Sequence, residues 1–447
     1  MRTKPSQSIT VRGIALAAAV AGVLLATTLA TTGTSRAQTP PSAEAPWIIS
    51  LGDSFISGEG GRWAGNTDDA EWRNDALGPT AYFDNPTNTA ELIPYCHRSA
   101  SAEIHIGGDV NSLNLACSGA ETSTYWTGTF DGDFKPGIDF YSDSSGNQGQ
   151  ALMLQEAATG KDVQMVVLSI GGNDFDVSGA LETCAEDYLE SFPGDDTYCH
   201  QDQSVLDQFS ASAADTVRDA IVEAIGRIRT AMAAAGHPEG TYTLVVQDYP
   251  LPIPGGAGFR YPEEGLERIG TGGCGLWNTD ADLFEQTILP VVSSTVRAAA
   301  AQAGGAITML ELGALLDQRQ LCETGVGLLE EEGLADWASP GASDLTEWVN
   351  QIFIDTVESE HFQQESAHPN YWAQLALRNC LRQVWNDGSP IGGTCYHTSG
   401  LNLAGEPNVV LTRVGEEPPR PGDPEVVPDP DQTGAAVAVS ARPVFTG

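Results

Sequence analysis

The sequence predicts an α/β domain in which helices cover both faces of a mainly parallel sheet. Four short apolar runs are typical of buried strands; they lie at Trp47–Leu51, Val163–Ser169, Tyr242–Gln247 and Ala306–Leu310. Alanine-rich stretches with apolar residues at helical spacing lie at Ala211–Ala235 and Ala281–Ala303. Strands that alternate with helices favour a parallel sheet that is buried on both sides.

Weaker signals complete the predicted domain. Residues 111–116 are a candidate fifth strand, and a helix is predicted from about Pro369 to Trp385. Three long irregular connections are predicted at 60–95, 120–150 and 320–365, and such loops often carry substrate contacts. The composition changes from Ala404 onward, with eight prolines in the last 44 residues. We therefore expect residues 404–447 to form an extended or disordered tail.

The N-terminus predicts an export signal. Arg2, Lys4 and Arg12 precede an apolar run at 14–30, and residues 35–37 end in the small–x–small pattern of a cleavage site. A membrane anchor is the alternative, but a run of 17 residues is short for a span. We expect residues 1–37 to be a signal peptide, the protein to be secreted, and no stable membrane anchor to remain.

The charge of the chain limits its partners. The 447 residues include 21 basic and 60 acidic side chains, which gives a net charge of −39. Binding to a phosphate backbone needs Lys and Arg, and anionic membranes attract basic segments. The composition therefore argues against nucleic acid as a partner. Self-repulsion of an acidic surface keeps a protein soluble, and we expect a monomer.

The eight cysteines predict disulfides, since an even count in an exported chain is typical of a disulfide framework. Sequential pairing closes short or moderate loops throughout. It predicts the bridges Cys96–Cys117, Cys184–Cys199, Cys274–Cys322 and Cys380–Cys395. Zinc is the alternative, but no Cys-x₂-Cys pair occurs, so we expect no metal site.

Two motifs that could take part in catalysis follow predicted strands. Gly-Asp-Ser at 52–54 comes directly after the first strand, where a serine hydroxyl can face a cleft and act as a nucleophile. Such a tripeptide is also common in turns and helix caps. Gly-Gly-Asn-Asp at 171–174 follows Val163–Ser169, and the amide of Asn173 could form a turn or donate to an oxyanion.

Two further motifs lie away from the four clearest predicted strands. Cys117-Ser118-Gly119 places a glycine whose backbone N–H could face an oxyanion, although a simple turn would also use glycine. Residues 365–370 (Glu-Ser-Ala-His-Pro-Asn) open the last predicted helix. His368 is suited to take a proton near neutral pH, and Glu365 could orient its imidazole.

These four motifs, in this order, resemble those of the SGNH hydrolases, also called GDSL-type lipases and esterases. The residues Ser, Gly, Asn and His that name the family match Ser54, Gly119, Asn173 and His368. The resemblance covers about residues 46–400 and implies a hydrolase domain with a three-layer, flavodoxin-like fold and long loops pinned by disulfides. It is closest in character to secreted actinobacterial members.

The resemblance implies an ester hydrolase. Ser54 would be the nucleophile and His368 the general base, with an oxyanion hole made by Ser54, Gly119 and Asn173. The substrate would be a small-molecule or lipid ester, and no cofactor or metal is implied. Two positions depart from the family pattern. Phe55 stands where Leu is usual, and Glu365 stands where Asp is usual; some members use a backbone carbonyl in place of that acid.

Three functions remain open at this point. The first is a secreted carboxylic ester hydrolase, either lipase or esterase, that works through a Ser–His acyl-enzyme. The second is a carbohydrate acetylesterase that uses the same residues. The third is a non-catalytic secreted binding protein that retains the fold.

Overall fold

A seven-stranded sheet forms the centre of the computed structural model, which describes residues 45–128, 132–191, 197–353, 361–413 and 416. Its strands are β1 (Trp47–Gly52), β2 (Asn111–Asn114), β5 (Val163–Ser169), β6 (Thr243–Gln247), β7 (Ile307–Glu311), β8 (Gly393–Leu401) and β9 (Pro407–Thr412). They are ordered β2-β1-β5-β6-β7-β8-β9 across the sheet, and its β8–β9 pair alone is antiparallel. The predicted α/β fold with a mainly parallel sheet is confirmed.

Helices follow most of the parallel strands. They are α1 (Ser54–Ser57), α2 (Gln150–Ala158), α3 (Val177–Glu190), α4 (Gln203–Gln208), α5 (Ala211–Ala234), α6 (Glu267–Gly270), α7 (Asn278–Leu283), α8 (Leu289–Ala303), α9 (Ala342–Leu345) and α10 (Tyr371–Trp385). Helix α5 packs between α2 and α8, whereas α10 packs against β8 and β9. The site region lies where β1 and β5 end together, since Gly52 pairs with Ser169.

The core explains why the central strands could be found in the sequence. Ile48, Ile49 and Leu51 of β1 are fully buried, as are the residues 165–168 of β5. A parallel strand that is covered on both faces has no exposed side and so reads as a continuous apolar run. The predicted strands therefore agree with the observed ones to within two residues at either end.

The structure differs from the prediction in three places. The helix expected at Ala281–Ala303 begins at Asn278 and contains a π-helical turn at Phe284–Ile288. The connection expected at 120–150 holds a two-stranded hairpin, in which β3 (Tyr125–Trp126) pairs with β4 (Phe134–Lys135). Two strands after α10, β8 and β9, were not predicted, because most of the side chains of β8 and half of those of β9 are only partly buried or exposed, so neither strand is a continuous apolar run.

Strand β9 also corrects the boundary of the predicted tail. The tail was expected to begin at Ala404, yet residues 407–412 extend the sheet. Side chains of α10 hold this strand: Asn379 donates to the carbonyl of Pro407 at 2.8 Å, and Gln383 donates to that of Val409 at 2.7 Å. Beyond Thr412, the predicted tail apart from Arg413 and Glu416 lies outside the described residues, as do the predicted signal peptide and its alternative as a membrane anchor.

Four disulfides connect the loops, and they pair the cysteines as predicted: Cys96–Cys117, Cys184–Cys199, Cys274–Cys322 and Cys380–Cys395. The first ties the connection after β1 to the turn that carries Gly119. The last ties α10 to β8. In the part of the chain that the structure describes, no helix is both long enough and apolar enough to cross a membrane.

Candidate active site

Ser54 occupies a sharp turn between β1 and α1. Gly52 ends the strand with a φ of +138°, and a Cβ at this position would lie 1.8 Å from the carbonyl oxygen of Ser169, so only glycine fits. Asp53 caps α1, since its carboxylate accepts a hydrogen bond from the N–H of Phe55 at 3.2 Å. Ser54 begins the helix and is 6% exposed. The hydroxyl is therefore fixed at the carboxyl end of the sheet.

The imidazole of His368 meets this hydroxyl. The distance from Ser54 Oγ to His368 Nε2 is 2.6 Å, although the two residues lie 314 positions apart. The other ring nitrogen, Nδ1, lies 2.9 Å from the backbone carbonyl of Ser366. A carbonyl can only accept, so Nδ1 carries the proton and Nε2 is free to accept the proton of Ser54.

Glu365 does not contact the imidazole, which corrects the expectation that it orients His368. Its buried carboxylate accepts hydrogen bonds from Trp63 Nε1 at 2.8 Å, from the N–H of Phe362 at 2.9 Å and from the hydroxyl of Tyr82. Ala367 has a φ of +57°, so the chain turns sharply between Ser366 and His368. The ring is oriented by the carbonyl of Ser366 instead.

The Gly119 turn and Asn173 lie side by side. Gly119 has a φ of +77°. The side-chain amide of Asn173 donates to the carbonyl of the next residue, Ala120, at 2.9 Å. Asp174 fixes the same two segments together, because its carboxylate accepts from the N–H of Thr122 at 3.1 Å. The Asn173 amide has a second hydrogen that a substrate oxyanion could use.

Backbone contacts and Tyr249 tie these turns to Ser54. The N–H of Cys117 donates to the carbonyl of Gly52 at 3.0 Å. The hydroxyl of Tyr249 donates to Asp53 and accepts from the N–H of Gly172 at 3.0 Å. No motif marked Tyr249, but it lies two residues beyond the end of β6, on the same edge of the sheet as the other site residues.

Aromatic packing and burial set the electrostatics of Ser54 and His368, which form the candidate catalytic dyad. The Phe55 ring lies 5.1 Å from the ring of His368 and 5.2 Å from that of Tyr249, so this departure from the family pattern is a packing position. Desolvation lowers the pKa of His368, although the charge of Glu59 opposes that effect. Desolvation raises the pKa of Asp53 to about 7, and the hydrogen bond from Tyr249 limits the rise. A lowered pKa keeps the imidazole neutral, as a general base requires.

A buried ion pair, which the sequence analysis missed, lies next to the dyad. Glu59 and His97 are both fully buried, and His97 Nδ1 is 2.8 Å from the carboxylate. Burial alone would raise the pKa of Glu59, but the His97 ring holds it below its usual value. Within the described ranges, no three His, Cys, Asp or Glu side chains group so that they could hold a metal ion.

Comparisons with known proteins give matches among solved structures. An extracellular lipase from Streptomyces rimosus matches with 16% identity over 74% of this chain and 95% of that chain, at a TM-score of 0.37. A phospholipase A1 from Streptomyces albidoflavus matches with 18% identity over 74% and 94%, also at 0.37. A carbohydrate acetylesterase from Sinorhizobium meliloti matches with 12% identity over 59% and 83%, at 0.24. No family model and no curated protein matches the sequence.

Proposed function

We propose that this protein is a secreted serine ester hydrolase of the SGNH type. The observation that carries the proposal is the contact of 2.6 Å between Ser54 Oγ and His368 Nε2. The contact of Nδ1 with the Ser366 carbonyl supports it, because that contact leaves Nε2 as the acceptor. A hydroxyl and a neutral imidazole in this arrangement are the parts that nucleophilic acyl transfer requires.

The reaction then follows from the positions of these groups. Ser54 Oγ attacks the ester carbonyl while its proton passes to Nε2 of His368. The imidazolium returns this proton to the alkoxy leaving group as the tetrahedral intermediate collapses to an acyl-enzyme. Water, deprotonated by the same imidazole, attacks the acyl group and releases the acid, and the proton on Nε2 returns to Ser54.

The oxyanion of each intermediate would be bound by the N–H groups of Ser54 and Gly119 and by the Asn173 amide. The placement of Asn173 against the Gly119 turn supports this assignment. Each such donor contributes about 10²–10³ to turnover in enzymes of this kind. Secretion is supported by the four disulfides, since oxidising compartments outside the cytosol are where such bonds form.

The nucleophile is tested by replacing Ser54 with alanine. Hydrolysis of p-nitrophenyl acetate and butyrate should fall at least about 10³-fold in Ser54→Ala. Labelling by a fluorophosphonate should add one adduct on Ser54 of the wild-type chain and none in the variant. Ser293→Ala is a matched control, since Ser293 in α8 is 8% exposed and lies outside the site. Wild-type rates in Ser54→Ala would overturn the proposal.

The substrate class needs a separate comparison. p-Nitrophenyl esters from acetyl to palmitoyl and an acetylated xylan would be assayed with the same preparation. A lipase or general esterase should hydrolyse longer acyl chains at rates comparable to acetyl. A carbohydrate acetylesterase, the second candidate, would release acetate from the xylan and reject the longer chains.

A further inference from the structure

Glu59 lies just after helix α1, in the loop that follows the nucleophile Ser54. Its backbone N–H donates to the carbonyl of Ser54 at 3.1 Å. The next residue, Gly60, packs against the base, since a Cβ at Gly60 would lie 3.2 Å from the Cβ of His368. The side chain of Glu59 is fully buried. A carboxylate is thus enclosed beside both members of the dyad without touching either side chain.

The main partner of the Glu59 carboxylate is a buried histidine. His97 Nδ1 lies 2.8 Å from both carboxylate oxygens. The side chain of Ser118, which precedes Gly119, also lowers the pKa of Glu59. The ring of Tyr82 stacks on His97 with centroids 4.5 Å apart. Because a buried charge is costly unless it is paired, these contacts are what allow Glu59 to remain ionised.

Several charged groups share this enclosed region. The titratable groups that interact with Glu59 or with His368 are His97, Lys135, Glu91, Glu365 and the neutral phenol of Tyr82. Among the charges that act on His368, those of Glu59 and Glu365 favour the imidazolium and that of His97 opposes it. Glu59 exerts the largest of these charge effects.

We propose that Glu59 is a positioning residue for the ester hydrolysis inferred above: from its buried place beside Ser54 and His368, it stabilises the positive charge that His368 gains. The proton of Ser54 stops at Nε2 of His368, and Glu59 remains a carboxylate throughout. The inference rests on the proposed function. Glu59 acts through space on the charge of the ring, whereas the carbonyl of Ser366 orients the ring, the part that the sequence suggested for Glu365.

The test is Glu59→Gln in the full chain. We expect kcat to fall about 10- to 100-fold, a share of what general acid–base catalysis supplies, while KM changes little. The acid limb of kcat/KM reports the ionisation of His368 in the free enzyme. Since the carboxylate raises the pKa of His368, its loss should move this limb about 1 pH unit lower. A purely structural role would leave the limb in place.

Matched variants separate the contributions. Glu103→Gln is the control, because Glu103 is equally buried but burial raises its pKa to about 8, so it is uncharged at neutral pH; the rates of this variant should equal those of the wild type. Ser118→Ala should leave the acid limb in place, since it removes only a hydroxyl and keeps the carboxylate of Glu59. Glu59→Asp retains the charge and should keep the limb at its wild-type position.

The results of these variants can overturn the role of Glu59 or the proposed function separately. A folded Glu59→Gln with wild-type kcat and an unmoved acid limb would overturn the role of Glu59. If Glu59→Gln does not fold, Glu59→Asp decides, and a limb displaced in that variant would also overturn it. Retained activity in Ser54→Ala would instead overturn the proposed function itself, so the two failures are distinguishable.

Discussion

Glu103 provides a direct test of how burial controls charge in this core. The side chain is fully buried, and its Oε1 accepts from Gln247 Nε2 at 2.6 Å. Glu103 Oε2 and Gln247 Oε1 are buried as well, and neither has a hydrogen-bond partner among the described residues. Burial raises the pKa of Glu103 to about 8. The carboxyl is therefore protonated at neutral pH, and Glu103→Gln replaces one neutral group by another of the same shape.

The size of the effect follows from the two pKa values. In the unfolded chain Glu103 ionises near its ordinary value of 4.5, whereas in the folded protein it ionises near 8. Folding then favours the protonated form, so the stability that Glu103 contributes is complete below pH 4.5 and declines as pH rises to 8. At about 1.4 kcal/mol per pH unit, the wild type should lose about 4 kcal/mol between pH 5 and pH 8.5 from this group. Glu103→Gln should lose none of it.

The assay is urea unfolding at these two pH values with the disulfides intact. The free energy of unfolding of Glu103→Gln, minus that of the wild type, should increase by about 4 kcal/mol from pH 5 to pH 8.5. Glu186→Gln is the control, since Glu186 is exposed on α3 and its substitution should give the same difference at both pH values. A difference for Glu103→Gln that does not change with pH would refute the reasoning.

Two further perturbations test the contacts that hold the site and the loops. Tyr249→Phe removes the donor to Asp53 and leaves the buried N–H of Gly172 without its acceptor. It should therefore destabilise the protein by about 2–4 kcal/mol and lower kcat about 10-fold; unchanged unfolding and kinetics would contradict the role given to the hydroxyl. Replacing both Cys274 and Cys322 by serine should cost about 4 kcal/mol, against about 3 kcal/mol for the pair Cys380 and Cys395, because the first bridge spans 48 residues and the second 15. Urea unfolding compares the two double variants, and the reverse order would argue against loop length as the cause.

The parts of the fold that could be predicted are those whose environment is uniform. Strands β1 and β5 are buried on both faces, so their sequences are apolar without interruption and their ends were found almost to the residue. Ser54 and His368 could be predicted because each stands in a short motif next to a recognisable element. Their contact across 314 positions is made at the carboxyl end of β1, where the segment before α10 brings His368 to Ser54.

The parts that could not be predicted depend on contacts or backbone angles that no local pattern records. Strand β9 is stabilised by side chains of α10, and half of its residues are only partly buried, so its sequence lacks the continuous apolar run of a central strand. The spacing of Glu365 and His368 suggested a contact between them. The left-handed Ala367 changes the direction of the chain at that point, and a backbone carbonyl, which every residue carries, takes the place of the acid.

The composition also misleads about where charge matters. The net charge of −39 does not show which carboxylates affect the site. Solvent and salt screen the fields of exposed carboxylates within about 10 Å. Buried carboxyls of this protein differ from one another. Burial raises the pKa of Glu103 to about 8, and the hydrogen bond from the Gln247 amide offsets only part of that rise, whereas the charge of His97 holds the pKa of Glu59 below its usual value despite burial. Screening is weak inside the protein, so the charge of Glu59 acts on His368 more strongly than the many on the surface. What decides the electrostatics of this site is therefore which carboxyl has a cationic partner, and that is a property of the fold.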